Sequence, residues 1–133
     1  MSRGLGFPGT RRLRKRREFL AVQGEGRRIS GKHFLFFVRR RAAAEVGAVA
    51  PEARFGITVT RKVGNAVTRN RIKRIVREGC RQVLARVPAG LDVVVVARGS
   101  AATAGAHEAA GELAGLADKL ARQGASPREG ASH

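Results

Sequence analysis

Between Arg54 and Gly79 the chain reads RFGITVTRKVGNAVTRNRIKRIVREG, with eight Lys or Arg side chains and one acid, Glu78. A guanidinium keeps its charge at any physiological pH and meets phosphate oxygens in a bidentate fork, so a row of them on a rigid element suits a polyanion. Arg61 and Lys62 precede a Gly64-Asn65 turn, Arg69-Asn70-Arg71 follow it, and Lys73, Arg74, Arg77 and Arg81 continue the series. A helix opening after Asn65 adds amide donors and the positive end of its dipole. A merely solvated basic face mixes signs so that i,i+4 pairs can form, and here only Glu78 offers a partner. These cations read as a nucleic-acid surface.

A second set of residues interleaves aromatic and basic side chains: Phe19, then Phe34, Phe36 and Phe37 in the run KHFLFFVRRR. Exposed aromatics ringed by cations form a stacking platform for single-stranded bases, although burial in a core is the commoner fate of Phe. Strand parity allows a division. Phe34, Phe36 and Val38 share one face, while Leu35, Phe37 and Arg39 share the other, so one set can be core while Phe37 faces a groove.

Other chemistry is poorly represented. His33, His107 and His133 are far apart, the acids are scattered and mostly C-terminal, and no Gly-x-x-x-x-Gly-Lys-Ser/Thr loop is present. No nucleophile–base set can be argued, and a two-metal carboxylate cluster has little support. Cys80 is the sole cysteine, which excludes an internal disulfide and a multi-cysteine zinc site; in a helical pattern it reads as a small core residue.

The elements that must position these residues follow from periodicity. Residues 11–23 predict a short amphipathic helix carrying Leu13, Phe19, Leu20 and Val22, ended by Gly24 or Gly26. Residues 32–41 predict a strand, with a further short strand possible near Ile29, and residues 42–53 a hairpin connection or loose loop. Residues 54–60 alternate, with Phe55, Ile57 and Val59 opposing Gly56, Thr58 and Thr60. A long helix is predicted over 66–87, with Ile72, Ile75, Val76, Gly79, Cys80, Val83 and Val87 on its apolar side and Lys73, Arg74, Arg77 and Arg81 on a separate stripe around Asn70; Pro88 and Gly90 stop it. Residues 91–97 (LDVVVVA) predict a strand buried on both faces, and 107–123 a final helix with Leu113, Leu116, Ala117 and Leu120 inward. The fold class is α/β, an α+β sandwich with a small sheet and packed helices in the order helix-strand-strand-helix-strand-helix. Residues 1–10 and 124–133 read as flexible tails flanking one domain over 11–123.

The whole chain has 133 residues, 27 Lys+Arg against 10 Asp+Glu, a net charge of +17 and 43% hydrophobic residues. That hydrophobic content excludes a wholly disordered basic tail. The charge is segregated: residues 1–41 carry +11 and 54–86 carry +9, while 42–53 carry −2 and 87–133 carry −1. One positively charged side and a polyanionic partner are implied. No apolar run reaches the roughly 18 residues of a membrane span, and the basic N-terminus is not followed by an apolar signal stretch. The expectation is a cytoplasmic protein with no membrane partner.

The sequence closely resembles the protein component of bacterial ribonuclease P. The resemblance rests on Arg54-Phe55-Gly56, Arg61-Lys62, Val63-Gly64-Asn65-Ala66-Val67, Arg69-Asn70-Arg71, Lys73-Arg74 and Arg77-Glu78, with Leu13, Phe19 and the Phe-rich strand upstream, and covers roughly residues 11–122. It implies a left-handed βαβ crossover, against the right-handed default. It also implies a subunit that binds the catalytic ribonuclease P RNA and the 5′ leader of precursor tRNA, assisting leader removal, with the catalytic centre and its Mg²⁺ mainly on the RNA and no obligate protein partner. The expected contacts to the RNA subunit are Arg61, Lys62, Asn65, Arg69, Asn70, Arg71, Lys73, Arg74, Arg77 and Arg81. Phe19 and Phe37 match aromatic positions of the family's leader cleft, and Arg39, Thr58 and Thr60 complete the expected leader site. Two departures stand out: Arg61-Lys62 replaces the usual Lys-Lys, and Gln23 sits where some members carry a second aromatic, which implies weaker leader stacking.

Overall fold

The structure is a computed structural model that describes residues 12–13, 15–41 and 52–124. In chain order its elements are α1 (Arg16–Glu25), β1 (Arg27–Ser30), β2 (Phe34–Arg40), β3 (Arg54–Thr58), α2 (Ala66–Val83), β4 (Leu91–Ala97) and α3 (Ala106–Gly124), with 3₁₀ turns at Leu84–Arg86 and Gly99–Thr103. The four strands form one sheet in the order β1-β2-β4-β3. β1 pairs with β2 and β2 with β4 in antiparallel fashion, whereas β3 and β4 are parallel and joined through α2. The expected α+β sandwich is present, and the short strand possible near Ile29 is realised as β1.

The β-branched run of β4 sits at the centre of the sheet, where a strand covered on both faces needs apolar side chains throughout. Val93, Val94 and Val95 are fully buried. On one face Phe34, Phe36, Phe55, Val93 and Val95 pack against Ile72, Val76 and Cys80 of α2 and Leu113, Leu116 and Leu120 of α3. Gly79 lets the two helices approach: a Cβ there would lie 2.5 Å from Leu113 Cδ1. On the other face α1 is the only helix among the described residues; Val22, Leu13 and Val94 form a small cluster edged by Phe19, Phe37 and Val96.

Several boundaries differ from the sequence expectation, each for a physical reason. The first helix begins at Arg16 rather than near residue 11, because Arg12 bridges Phe55 and the Leu13 amide donates to Phe55 O at 2.8 Å. β3 is an edge strand whose free backbone groups draw in that segment. The long helix stops at Val83; Leu84–Arg86 tighten into a 3₁₀ turn and Val87 is extended, as a residue before proline prefers. β3 ends at Thr58 rather than residue 60, and Val63 N donates to Thr60 O in the turn beyond it. β2 and β3 are not neighbours, because β4 lies between them; the connection expected over 42–53 lies outside the described residues but for its last two, Glu52 and Ala53. The expected tails fall outside the described residues, except for Gly124, the last residue of α3.

Candidate nucleic-acid interface

Asn65 starts the basic helix, its side-chain oxygen accepting from the Thr68 amide at 2.9 Å. A Cβ on Gly64 would lie 2.9 Å from Thr68 Cγ2, so glycine lets the turn press onto the helix start. Arg61, Lys62, Asn70 and Arg74 are exposed, and Arg69, Lys73, Arg77 and Arg81 are half-buried along the same stripe. Half-burial of long cations on a helix leaves their heads in solvent while their stems cover apolar surface. Arg69 Nε reaches back to Gly64 O at 3.1 Å, which fixes its direction. Arg71 behaves differently. It donates to Ala102 O at 2.6 Å and Ala104 O at 3.3 Å, tying α2 to the turn before α3. Arg81 pairs with Glu78 three residues earlier, and this hydrogen bond holds Glu78 below the ordinary carboxylate range. Val67, 78% exposed, stands at the head of this helix.

The α1 face of the sheet carries three rows of side chains, set by register. Arg39, Asp92 and Arg54 form one row, Phe37, Val94 and Gly56 the next, and Leu35, Val96 and Thr58 the third. Phe19 of α1 covers Gly56; a Cβ on Gly56 would lie 2.6 Å from the Phe19 ring. Phe34, Phe36 and Phe55 are core, while Phe19 and Phe37 are half-buried on this opposite face. Leu35, Val96 and Thr58 are half-buried, and Thr60 is exposed past the strand end. Phe19, Phe37 and Thr58 therefore share a partly open, aromatic-edged surface. A pocket of about 360 Å³ at the β3 edge joins it to the basic helix, with Phe19, Gly56 and Arg12 in its lining beside Lys73 and Arg77.

The first row is ionic. Asp92, 2% exposed, receives Arg54 Nε and NH2 at 2.9 Å each in a bidentate fork, as well as Arg41 NH1. Arg54 NH1 extends to Glu18 at 3.3 Å, and its bond to Asp92 raises the Arg54 pKa above the ordinary value. Arg39 Nε donates to Glu25 at 2.8 Å with NH1 4.0 Å from Asp92. The sequence expectation assigns Arg39 to the leader site; the structure places it on the Phe37 face but engages its guanidinium in this network.

A family model described as Ribonuclease P matches residues 7–121. The chain belongs to the ribonuclease P protein family. It is 39% identical over 116 residues to the ribonuclease P protein component of Desulforapulum autotrophicum, covering 87% of this chain and 93% of the relative. It is 42% identical to that of Desulfovibrio desulfuricans, with 87% of each covered. Its fold matches the RNase P protein of Thermotoga maritima with a TM-score of 0.68 at 32% identity, over 84% of this chain and 96% of that one. The Staphylococcus aureus RNase P protein gives a TM-score of 0.69 at 27% identity, over 82% and 94%.

Four further titratable groups of this ribonuclease P family member serve the scaffold. His33 is buried with Nδ1 2.9 Å from Ser100 Oγ, and Glu112 accepts from the His33 and Phe34 amides at 2.8 and 3.3 Å. Glu108 caps the α3 start through the Gly105 amide, which holds it below the ordinary carboxylate range. Cys80 is buried, and burial pushes its thiol pKa far up. Among the described residues no three His, Cys, Asp or Glu side chains converge as a metal site. None of the described helices is long and apolar enough to cross a membrane. The Arg54–Asp92 ion pair lies outside the sequence expectation, although a lone acid in the run LDVVVVA signals a buried charge that needs partners.

Proposed function

We propose that this chain is the protein subunit of a ribonuclease P holoenzyme that removes the 5′ leader of precursor tRNA. The basic stripe of α2 contacts the catalytic RNA, and the Phe19–Phe37 face receives the single-stranded leader. The observation that carries the reading is the junction at β3: one pocket has Phe19 and Gly56 in its lining together with Lys73 and Arg77. A leader strand lying on the aromatic face would thus run directly into the cations that hold the RNA subunit. Stacking on aromatic side chains contributes about 1–3 kcal/mol per base with little sequence preference, as suits leaders of varied sequence. Fixed cations neutralise crowded phosphates that free Mg²⁺ would otherwise have to screen.

On this reading the RNA holds the catalytic centre and its Mg²⁺, and the protein binds and orients. Its partners are the RNA subunit and precursor tRNA in the cytoplasm, with no obligate protein partner. Reconstitution tests this. Protein, ribonuclease P RNA and labelled precursor tRNA, combined at low Mg²⁺, should give cleavage at the mature 5′ end only when both subunits are present. Cleavage by the purified protein alone, or no stimulation of the RNA, would overturn it.

A further inference from the structure

α1 meets the sheet through a small apolar patch, Val22 with the half-buried Phe19 at its edge. Val22 is its one fully buried residue, whereas α2 buries Ile72, Val76, Gly79, Cys80 and Val83. Apolar burial on so small a patch has no direction, so packing alone specifies the helix position weakly. The ion network supplies direction. Its two outer acids belong to α1, Glu18 in the first turn and Glu25 at the C-terminal end. Each is gripped by a different guanidinium, Glu18 by Arg54 and Glu25 by Arg39, and both guanidiniums approach Asp92 of β4. Arg41 joins Asp92 from the end of β2 and also donates to Leu91 O at 3.2 Å and Glu52 O at 2.7 Å.

Among the described residues three guanidiniums and three carboxylates thus meet beneath α1, in a chain with only 10 acids against 27 Lys and Arg. A buried carboxylate among several arginines is not required for stability as such, since apolar residues of similar volume often serve as well. What it adds is geometry. The bidentate Arg54–Asp92 fork is rigid, and its third donor places Glu18, the residue before Phe19. Arg39 lies two residues beyond Phe37 on the same face of β2.

We propose that Asp92, acting through Arg54 and Arg39, is a positioning residue for the leader surface: it anchors α1 at both ends and so holds Phe19 over Gly56 beside Phe37. The proposal rests on the leader assignment above and names the device that presents that surface.

The test uses the reconstituted holoenzyme with two variants. Asp92→Asn keeps the shape and removes the central charge. Because it leaves three guanidiniums without their common anion, it risks the fold; the double variant Glu18→Gln/Glu25→Gln instead releases α1 and leaves the Asp92 cluster intact. The Glu18→Gln change retains a side-chain oxygen to accept from the Lys15 amide, as Glu18 Oε1 does at 3.0 Å. In the double variant precursor tRNA affinity should fall about fivefold or more, with mature tRNA and RNA-subunit affinity unchanged. Hydrogen exchange should quicken at the α1 amides but not in α2. Unchanged precursor affinity in a wild-type background that does discriminate precursor from mature tRNA overturns the positioning role. A uniform loss of all three affinities also overturns it, as that marks a general stability effect. Wild-type holoenzyme with no preference for precursor overturns the leader assignment, and this inference with it.

Discussion

The Phe19 ring lies where the side chain of residue 56 would be, so close that a Cβ on Gly56 would stand 2.6 Å from both Cε2 and Cζ. Gly56 is therefore a seat for an aromatic ring, and the Arg54-Phe55-Gly56 sequence has three separate duties. Arg54 grips Asp92, Phe55 fills the core, and Gly56 makes room for Phe19.

Gly56→Ala should displace Phe19 and strain Leu13, whose Cβ would lie 3.1 Å away. Overpacking of this kind costs about 1–3 kcal/mol. A lowered melting temperature together with weakened precursor binding, at unchanged affinity for the RNA subunit, is the expected result. Full precursor affinity in this variant would remove Phe19 from the leader site.

Phe36 and Phe37 are neighbours with opposite fates, the first 2% exposed in the core and the second half-buried on the α1 face. Phe36→Ala should cost about 3–5 kcal/mol of stability and lower every activity together. Phe37→Ala should cost less stability but weaken precursor binding by about 5- to 150-fold, with mature tRNA affinity preserved. Melting curves beside the two tRNA affinities decide between these patterns.

The cations of α2 divide in the same way. If about five of them contact phosphate, the log–log slope of RNA-subunit affinity against salt is about −3.5 to −4.5, and Arg69→Ala/Arg77→Ala should flatten it by roughly 2. Arg71→Ala should act on stability, because its guanidinium bonds the Ala102 and Ala104 carbonyls. Hydrogen bonds from charged groups contribute about 1.5–3 kcal/mol, so its melting temperature should fall well below that of Arg74→Ala. Equal melting temperatures would contradict the assignment of Arg71 to the scaffold.

Cys80 should resist thiol reagents at pH 8 in the native protein and react only on unfolding. Burial raises its folded pKa above the unfolded value of about 8.5, so the neutral thiol's contribution is intact below that pH. It is lost as pH climbs from the unfolded towards the folded pKa. Labelling rates with and without urea, and stability measured from pH 8 to 11, check both points.

Much of this architecture was legible in the residues. The division of Phe34 and Phe36 from Phe37 follows from parity, the buried stripe of α2 from its spacing, and the burial of β4 from its β-branched run. What escaped depends on partners far away in the chain. Arg12 and Leu13 look helical by composition, yet β3's open edge draws them into strand pairing. Arg71 lies in the basic run, but only the fold reveals the carbonyls of Ala102 and Ala104 beside it. β1, by contrast, is the short strand read as possible near Ile29: its sequence RRIS has no strong alternation, and β2 offers it an edge. Arg39 and Asp92 meet only through the antiparallel register of β2 and β4, which no local pattern encodes.

Two surfaces are assigned two ligands, the RNA subunit on α2 and the precursor leader on the Phe19–Phe37 face. Photo-cross-linking from a reactive nucleotide in the leader, within the assembled holoenzyme, tests this division most directly. Cross-links mapping to Phe19, Phe37 and Thr58 are the predicted result, and they should vanish with mature tRNA in competition only at much higher concentration than with unlabelled precursor. Leader cross-links confined to α3 or to the exposed side of β1, with none on the Phe19–Phe37 face, would contradict it.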